Sequence, residues 1–165
     1  MVLINKTQTT SKQDEQKLIR VHAICDGTVI DHIEPAKTVT ILKVLNLENC
    51  DGVVTVGINL RSAKLGRKGL IKIESRELTD DEVNRLAILA PEATINIVRH
   101  YKVVEKIHPA MPKEVRGLVA CPNPKCITNH ERALTVFYPV AASEGGYKFK
   151  CRYCERSFNG RELVY

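Results

Sequence analysis

Four cysteines in the last third of the chain constrain it most: Cys121 and Cys126, then Cys151 and Cys154. They read as C-x4-C, a gap of 24 residues, then C-x2-C. Thiolates are soft ligands, and four of them close a tetrahedral shell around one zinc ion. Two short-spaced pairs let two turns each offer two sulfurs. With every position filled by protein there is no open site for water or substrate, so the ion holds a small domain together and does no chemistry. The competing reading is two disulfides. Residues 1–17 lack the apolar stretch and small-residue cleavage site of a secretory signal. No apolar run approaches the roughly 18 residues of a membrane span. The expected location is therefore cytoplasmic, where thiols stay reduced and paired cysteines usually bind metal. Cys25 and Cys50 have no partner at ligand spacing and read as ordinary small side chains. His130 lies near the cluster, but four cysteines already fill the shell.

A chain of 165 residues holds one ordinary domain or two small ones. With 44% hydrophobic residues, no Trp and few aromatics, the expected core is aliphatic. The net charge of +6 points to acidic partners: nucleotide phosphates, nucleic acid or an acidic protein face.

The pattern along the chain divides it into four parts. Residues 1–16 are polar and aperiodic and read as a mobile arm. Residues 17–107 alternate between strand and helix patterns. A strand is expected over 18–25 (LIRVHAIC), with Asp31 and His32 following it. A helix is expected from Pro35 to near Asn49, then a strand over 53–60, a glycine-bearing turn over 62–69 and a strand over 70–74. The second helix opens on a capping box, Thr79 with Glu82, and ends at Pro91. Strands follow over 93–98 and 101–106. The order β-α-β-β-α-β with one further strand matches a ferredoxin-like α+β plan, two helices on one face of an antiparallel sheet. Residues 108–116 carry two prolines and read as a linker. Residues 117–165 are too few to build much of a core unaided, and zinc supplies the missing stabilisation. Strands over 133–140 and 147–150, joined by a turn over 143–146, make this part a small all-β, zinc-ribbon-like domain.

No catalytic constellation is present. The chain has no Walker loop, no G-x-G-x-x-G, no G-x-S-x-G and no H-E-x-x-H. Asp31 with His32 is a poor acid–base pair, because adjacent residues on a strand point to opposite faces. The more suggestive set is Lys68, Lys72 and Lys106 with Asp31 and His32. If Ile71 and Ile73 point inward, Lys72 points outward with Lys68, and three ammonium groups on one face can hold a triphosphate. A solvated basic face is the plainer reading of those lysines. The tail interleaves Lys148, Lys150, Arg152, Arg156 and Arg161 with Tyr147, Phe149, Tyr153 and Phe158. That pattern fits either single-strand nucleic-acid binding or a ribbon with aromatics inward and cations outward.

Taken together, GTVIDHI at 27–33, GINL at 57–60, LGRKGLIKIE at 65–74, LAPEATIN at 89–96, YKVVEK at 101–106, and CPNPKC with CRYCE in the tail resemble the regulatory chain of aspartate carbamoyltransferase. The resemblance runs from about residue 18 to the C-terminus. It implies a non-catalytic allosteric subunit that forms a homodimer through its N-terminal domain. It implies a zinc domain that docks on the catalytic chains, in a dodecamer of two catalytic trimers and three regulatory dimers. CTP, sometimes with UTP, would bind the first domain and inhibit the first committed step of pyrimidine biosynthesis, with ATP competing and activating. Carried over by position, the nucleotide site comprises Asp31, His32, Lys68, Lys72 and Lys106, with Val21, Ala23, Ile24, Val29, Asn96, Tyr101 and Val103 lining the base and ribose pocket. The family places the aspartate and last lysine near base and ribose, and the histidine by the phosphates. The four cysteines fall on the family's zinc ligands. No nucleic-acid or membrane partner is implied. The sequence departs from the best-known pattern in a longer N-terminal arm, in His22 where that pattern has an acidic residue, in Cys25–Asp26 replacing a basic pair, and in His108 replacing an arginine.

Overall fold

A computed structural model describes residues 22–143 and 146–165. The expected arm over 1–16, Val21 and the centre of the 143–146 turn lie outside these residues.

The larger unit is a five-stranded antiparallel sheet with two helices on one face. Its strands are β1 (Gly27–Ile33), β2 (Val54–Ser62), β3 (Gly66–Glu74), β4 (Thr94–Arg99) and β5 (Lys102–Ile107), and its helices are α1 (Thr38–Val44) and α2 (Asp80–Leu89). The strand order is β2-β3-β1-β4-β5. The first four strands follow the ferredoxin-like arrangement, and β5 adds an edge through a hairpin with β4. Alternation sets the core. Ile71 and Ile73 of β3, Ile95 and Ile97 of β4, and Ile30 of β1 point to the helical face and are 5% exposed or less. They meet Ile41 on α1 and Leu45 at its C-terminal end, and Leu86 and Leu89 on α2. The capping box forms as expected: Thr79 Oγ1 accepts from the Glu82 N–H at 3.3 Å, and Glu82 Oε2 accepts from the Thr79 N–H at 2.9 Å.

Several boundaries differ from expectation. Among the described residues the first strand begins at Gly27, and residues 22–26 are not in a strand; residues 18–21 of the expected strand lie outside the described residues. Asp31 and His32 therefore lie within β1 and do not follow it. The expected helix from Pro35 to Asn49 is three pieces: a 3-10 turn over Pro35–Lys37, α1, and a 3-10 turn over Leu47–Asn49. The break comes at Asn46, which adopts a left-handed conformation (φ 49°) that Asn tolerates better than most residues. The expected 62–69 turn shrinks to Ala63–Leu65, because β3 already starts at Gly66. Gly69 answers a close approach: a Cβ there would stand 2.0 Å from Thr38 Oγ1, so any larger residue would have to displace the buried Thr38 side chain at the start of α1.

The smaller unit is a four-stranded antiparallel sheet in the order β6-β7-β8-β9. Its strands are β6 (Val115–Arg116), β7 (Val136–Ala141), β8 (Tyr147–Cys151) and β9 (Ser157–Asn159). β6 lies at the end of the stretch expected as a linker and pairs with β7 through Val115↔Phe137 and Arg116↔Val136. Phe137, Phe149, Val115, Val119 and Leu163 form its core together with the cysteines. One residue of the larger unit joins that core: Ile88, on α2. Leu86 and Leu89 of the same helix belong to the other core, so α2 is packed into both units at once.

Candidate functional site

The cysteine cluster is built from two turns. Cys121–Cys126 precedes a 3-10 turn over Ile127–Asn129, and Cys151–Cys154 follows β8. The four sulfurs lie within 4.8 Å of one another. The Cys121 and Cys154 sulfurs are 3.7 Å apart, and those of Cys126 and Cys151 are 3.9 Å apart. Four sulfurs bound tetrahedrally at about 2.3 Å from a zinc ion would be separated by about 3.8 Å. The donor set and its spacing therefore fit a closed metal shell.

The turns also supply hydrogen bonds to the sulfurs. Burial opposes the Cys126 thiolate, but the Thr128 hydroxyl, 3.2 Å away, the Thr128 N–H and the neighbouring Cys121 and Cys151 thiols together lower the pKa. Burial likewise opposes the Cys154 thiolate, and bonds from the Arg156 N–H, the Asn123 side chain and the neighbouring Cys121 and Cys151 thiols bring it down to about 7. Asn129 ties the first turn together, donating to the Cys121 carbonyl at 2.9 Å and the Asn123 carbonyl at 2.8 Å. Such outer contacts hold ligands in orientation for a metal. His130 stands outside the cluster, with its ring bonded to the Pro124 carbonyl at 2.8 Å.

The second candidate site is the sheet face opposite the helices. Register places Lys72 beside Val29, Val29 beside Asn96, and Asn96 beside Lys106. This row crosses four strands, about 14 Å at ordinary strand spacing. Asp31 is two residues beyond Val29 on the same face, and Lys68 is four before Lys72. Lys68 Nζ is 2.7 Å from Asp31 Oδ1, and both side chains are about four-fifths buried. Val103 shares the face because β5 is irregular between its pairings with Ile97 and Val98. Lys72 Nζ donates to the His22 carbonyl, which lays the segment carrying Ala23 and Ile24 beside the row. Burial lowers the Lys72 pKa. Tyr101 is exposed in the β4–β5 turn and its N–H donates to the Cys25 carbonyl at 2.9 Å.

One expectation about this face is overturned. Asp31 and His32 do not point to opposite faces, because the β1–β3 register shifts between Ile30 and Ile33 and His32 has φ 60°. The extra residue returns Ile33 to the core, where it is fully buried, and swings His32 Nδ1 to 3.4 Å from Asp31 Oδ2. That nitrogen is buried and makes no hydrogen bond of good geometry among the described residues.

The tail gives little support to a stacking platform. Phe149 is 1% exposed and forms core, while Tyr138, Tyr147 and Tyr153 remain at the surface. Among the described residues no helix is long and apolar enough to cross a membrane.

Comparison with known proteins settles the family. Residues 19–110 match the family described as aspartate carbamoyltransferase regulatory chain, allosteric domain, and residues 113–164 match that family's metal binding domain. The chain belongs to the aspartate carbamoyltransferase regulatory chain family. A regulatory chain of Phocaeicola vulgatus is 46% identical over 143 residues, covering 87% of this chain and 91% of the relative. That of Tolumonas auensis is 45% identical over 150 residues, covering 91% and 96%. That of Thermococcus gammatolerans is 42% identical over 147 residues, covering 88% and 96%. The chain is thus an allosteric regulatory chain, not a catalytic one, and its cysteine cluster falls within the metal-binding domain.

Proposed function

We propose that the open sheet face binds nucleoside triphosphates, CTP and ATP with UTP as a further effector, and that the cysteine cluster holds one structural zinc ion. Residues 17–107 act as the allosteric unit, 108–116 as the linker and 117–165 as the zinc unit, in a cytoplasmic protein. The observation that carries the nucleotide reading is the gathering of Lys68, Lys72 and Lys106 with Asp31 and Asn96 on one face, although they come from four strands. Ammonium groups meet phosphates as point charges. Asn96 and Asp31 offer polar partners for base and ribose, and the apolar Val29, Ile24 and Val103 offer a surface for the base. The unpartnered His32 Nδ1 supports a ligand here, since buried polar atoms are almost always paired.

The catalytic chain of aspartate carbamoyltransferase is the partner, in a dodecamer of two catalytic trimers and three regulatory dimers. The outer face of the smaller sheet suits docking: Tyr138 pairs with Lys150 and Val140 with Lys148 on the side away from the core, where Val140 is 50% exposed. The nucleotide acts by linkage, binding the tense and relaxed assemblies with different affinity. Two connections can carry the difference between units. One is the linker. The other is α2, whose Leu86 and Leu89 pack under the nucleotide-binding sheet while Ile88 packs in the zinc unit. Equilibrium titration of the purified chain with CTP tests the nucleotide reading. The expected result is saturable binding that ATP displaces; binding that does not saturate, or that ATP leaves untouched, contradicts it.

A further inference from the structure

Among the described residues, one cluster of ligating side chains lies outside both sites. Cys25 and Asp26 precede β1, and His100 sits in the turn between β4 and β5. Their sulfur, carboxylate and imidazole donors lie within 4.8 Å of one another. We propose that these three residues form a second metal site, for a borderline divalent transition ion such as zinc(II) or cobalt(II), bound with water in the remaining position.

The backbone prepares this arrangement. The β4–β5 hairpin turns over two residues, His100 and Tyr101, with φ 50° and 62°. Such a turn ordinarily takes Asn and Gly, because side chains with a Cβ resist the left-handed region. Here it is latched to the opposite segment. The His100 N–H donates to Asp26 Oδ1 at 3.0 Å, and the Tyr101 N–H donates to the Cys25 carbonyl at 2.9 Å. The two bonds hold the histidine over the Cys25–Asp26 pair, although they are more than 70 residues apart in sequence. The Cys25 thiol lies beside the Asp26 carboxylate, within the 4.8 Å that the three donors share. A bound ion replaces the proton of that thiol, which is released to solvent.

The donor types select the ion. One thiolate, one imidazole and one carboxylate are the three ligand types zinc takes, and three protein ligands leave a fourth position open to water. Thiolate and imidazole disfavour magnesium and calcium, which prefer oxygen shells. Thiolate and carboxylate together neutralise a divalent charge. The Arg99 guanidinium does not fill the place: it is turned to Glu77 at 2.7 Å. Cys25 and His100 are at the surface, so an ion has access. Once bound, it ties the segment entering β1 to the β4–β5 hairpin. The site stands independently of the nucleotide reading.

Metal content of the full chain tests the proposal, with the four-cysteine cluster as an internal standard. After gel filtration from excess zinc, the wild-type chain should carry two ions, and Cys25→Ser and His100→Ala one each. Titrating cobalt(II) into wild type loaded with a single equivalent of zinc, which the four-cysteine cluster takes first, should bring up a thiolate-to-cobalt charge-transfer band that is absent in Cys25→Ser. Both substitutions are at the surface, and unchanged circular dichroism confirms that the fold is retained. One ion in the wild type, or two in wild type and variants alike, overturns the proposal.

Discussion

Stripping the metal from the Cys121–Cys126–Cys151–Cys154 cluster should unfold the smaller unit and leave the larger one folded. The smaller unit's core is short of apolar mass: Phe137, Phe149, Val115, Val119 and Leu163 pack around three buried cysteines, and its strands are two to six residues long. Structural zinc sites in small domains contribute about 10–16 kcal/mol of apparent binding energy. Whole domains have net stabilities of only about 5–15 kcal/mol. Removing the ion therefore takes away a quantity as large as the whole stability of such a unit. It also leaves four thiols crowded at van der Waals distance. The larger unit has its own core of thirteen buried residues; it loses the packing at Ile88 and the exposed Glu34–Arg161 pair at 3.4 Å. Amide exchange after chelation checks this. Amides of β6–β9 should exchange rapidly, those of β1, β3 and β4 should stay protected, and Cys151→Ser should do the same without chelator. Protected β7 and β8 amides in a chain shown to be metal-free would contradict the structural role of the ion.

Lys68→Ala and Lys106→Ala should each weaken CTP binding, but for different reasons. Lys106 is an exposed cation at the end of the row, so its loss removes one charge-assisted contact. Such contacts contribute about 1.5–3 kcal/mol, or about 10–150-fold in affinity. Lys68 does more. Its ammonium neutralises the Asp31 carboxylate at 2.7 Å, in a place where both side chains are largely buried. Lys68→Ala deletes an attraction and also leaves an uncompensated, largely buried anion in the site, which repels the polyanionic nucleotide as a whole, so its effect should be the larger. Adding Asp31→Asn to Lys68→Ala should restore part of the affinity, since it removes the repulsion without restoring the cation. Calorimetric titration of the three variants reads the order directly. Equal CTP affinity in all of them and in wild type would remove this face from nucleotide binding.

Much of this was legible in the sequence, for physical reasons that differ by element. The cysteine cluster was legible because soft-ligand spacing is nearly unique to metal turns. The second helix was legible because Thr79 and Glu82 satisfy its first backbone donors in a way the side chains announce. Ile71 and Ile73 showed the buried face of β3 by simple alternation. The lysine row followed from the same alternation, once adjacent strands supplied the register. Other features escaped because they depend on backbone conformations that no residue type demands. The bulge at His32 has no glycine to mark it, and without it Asp31 and His32 would face apart. The break at Asn46 interrupts a stretch whose apolar spacing is helical on both sides. Strand β6 is two residues long and exists only because β7 is there to pair with. The meeting of Cys25 and Asp26 with His100 is a tertiary contact between segments with no shared motif.

The most direct measurement is aspartate saturation of a purified catalytic trimer, with and without this chain, with CTP added to each. The chain should make the curve sigmoidal, and CTP should shift it only when the chain is present. A hyperbolic curve that neither the chain nor CTP alters would contradict the proposed regulatory mechanism.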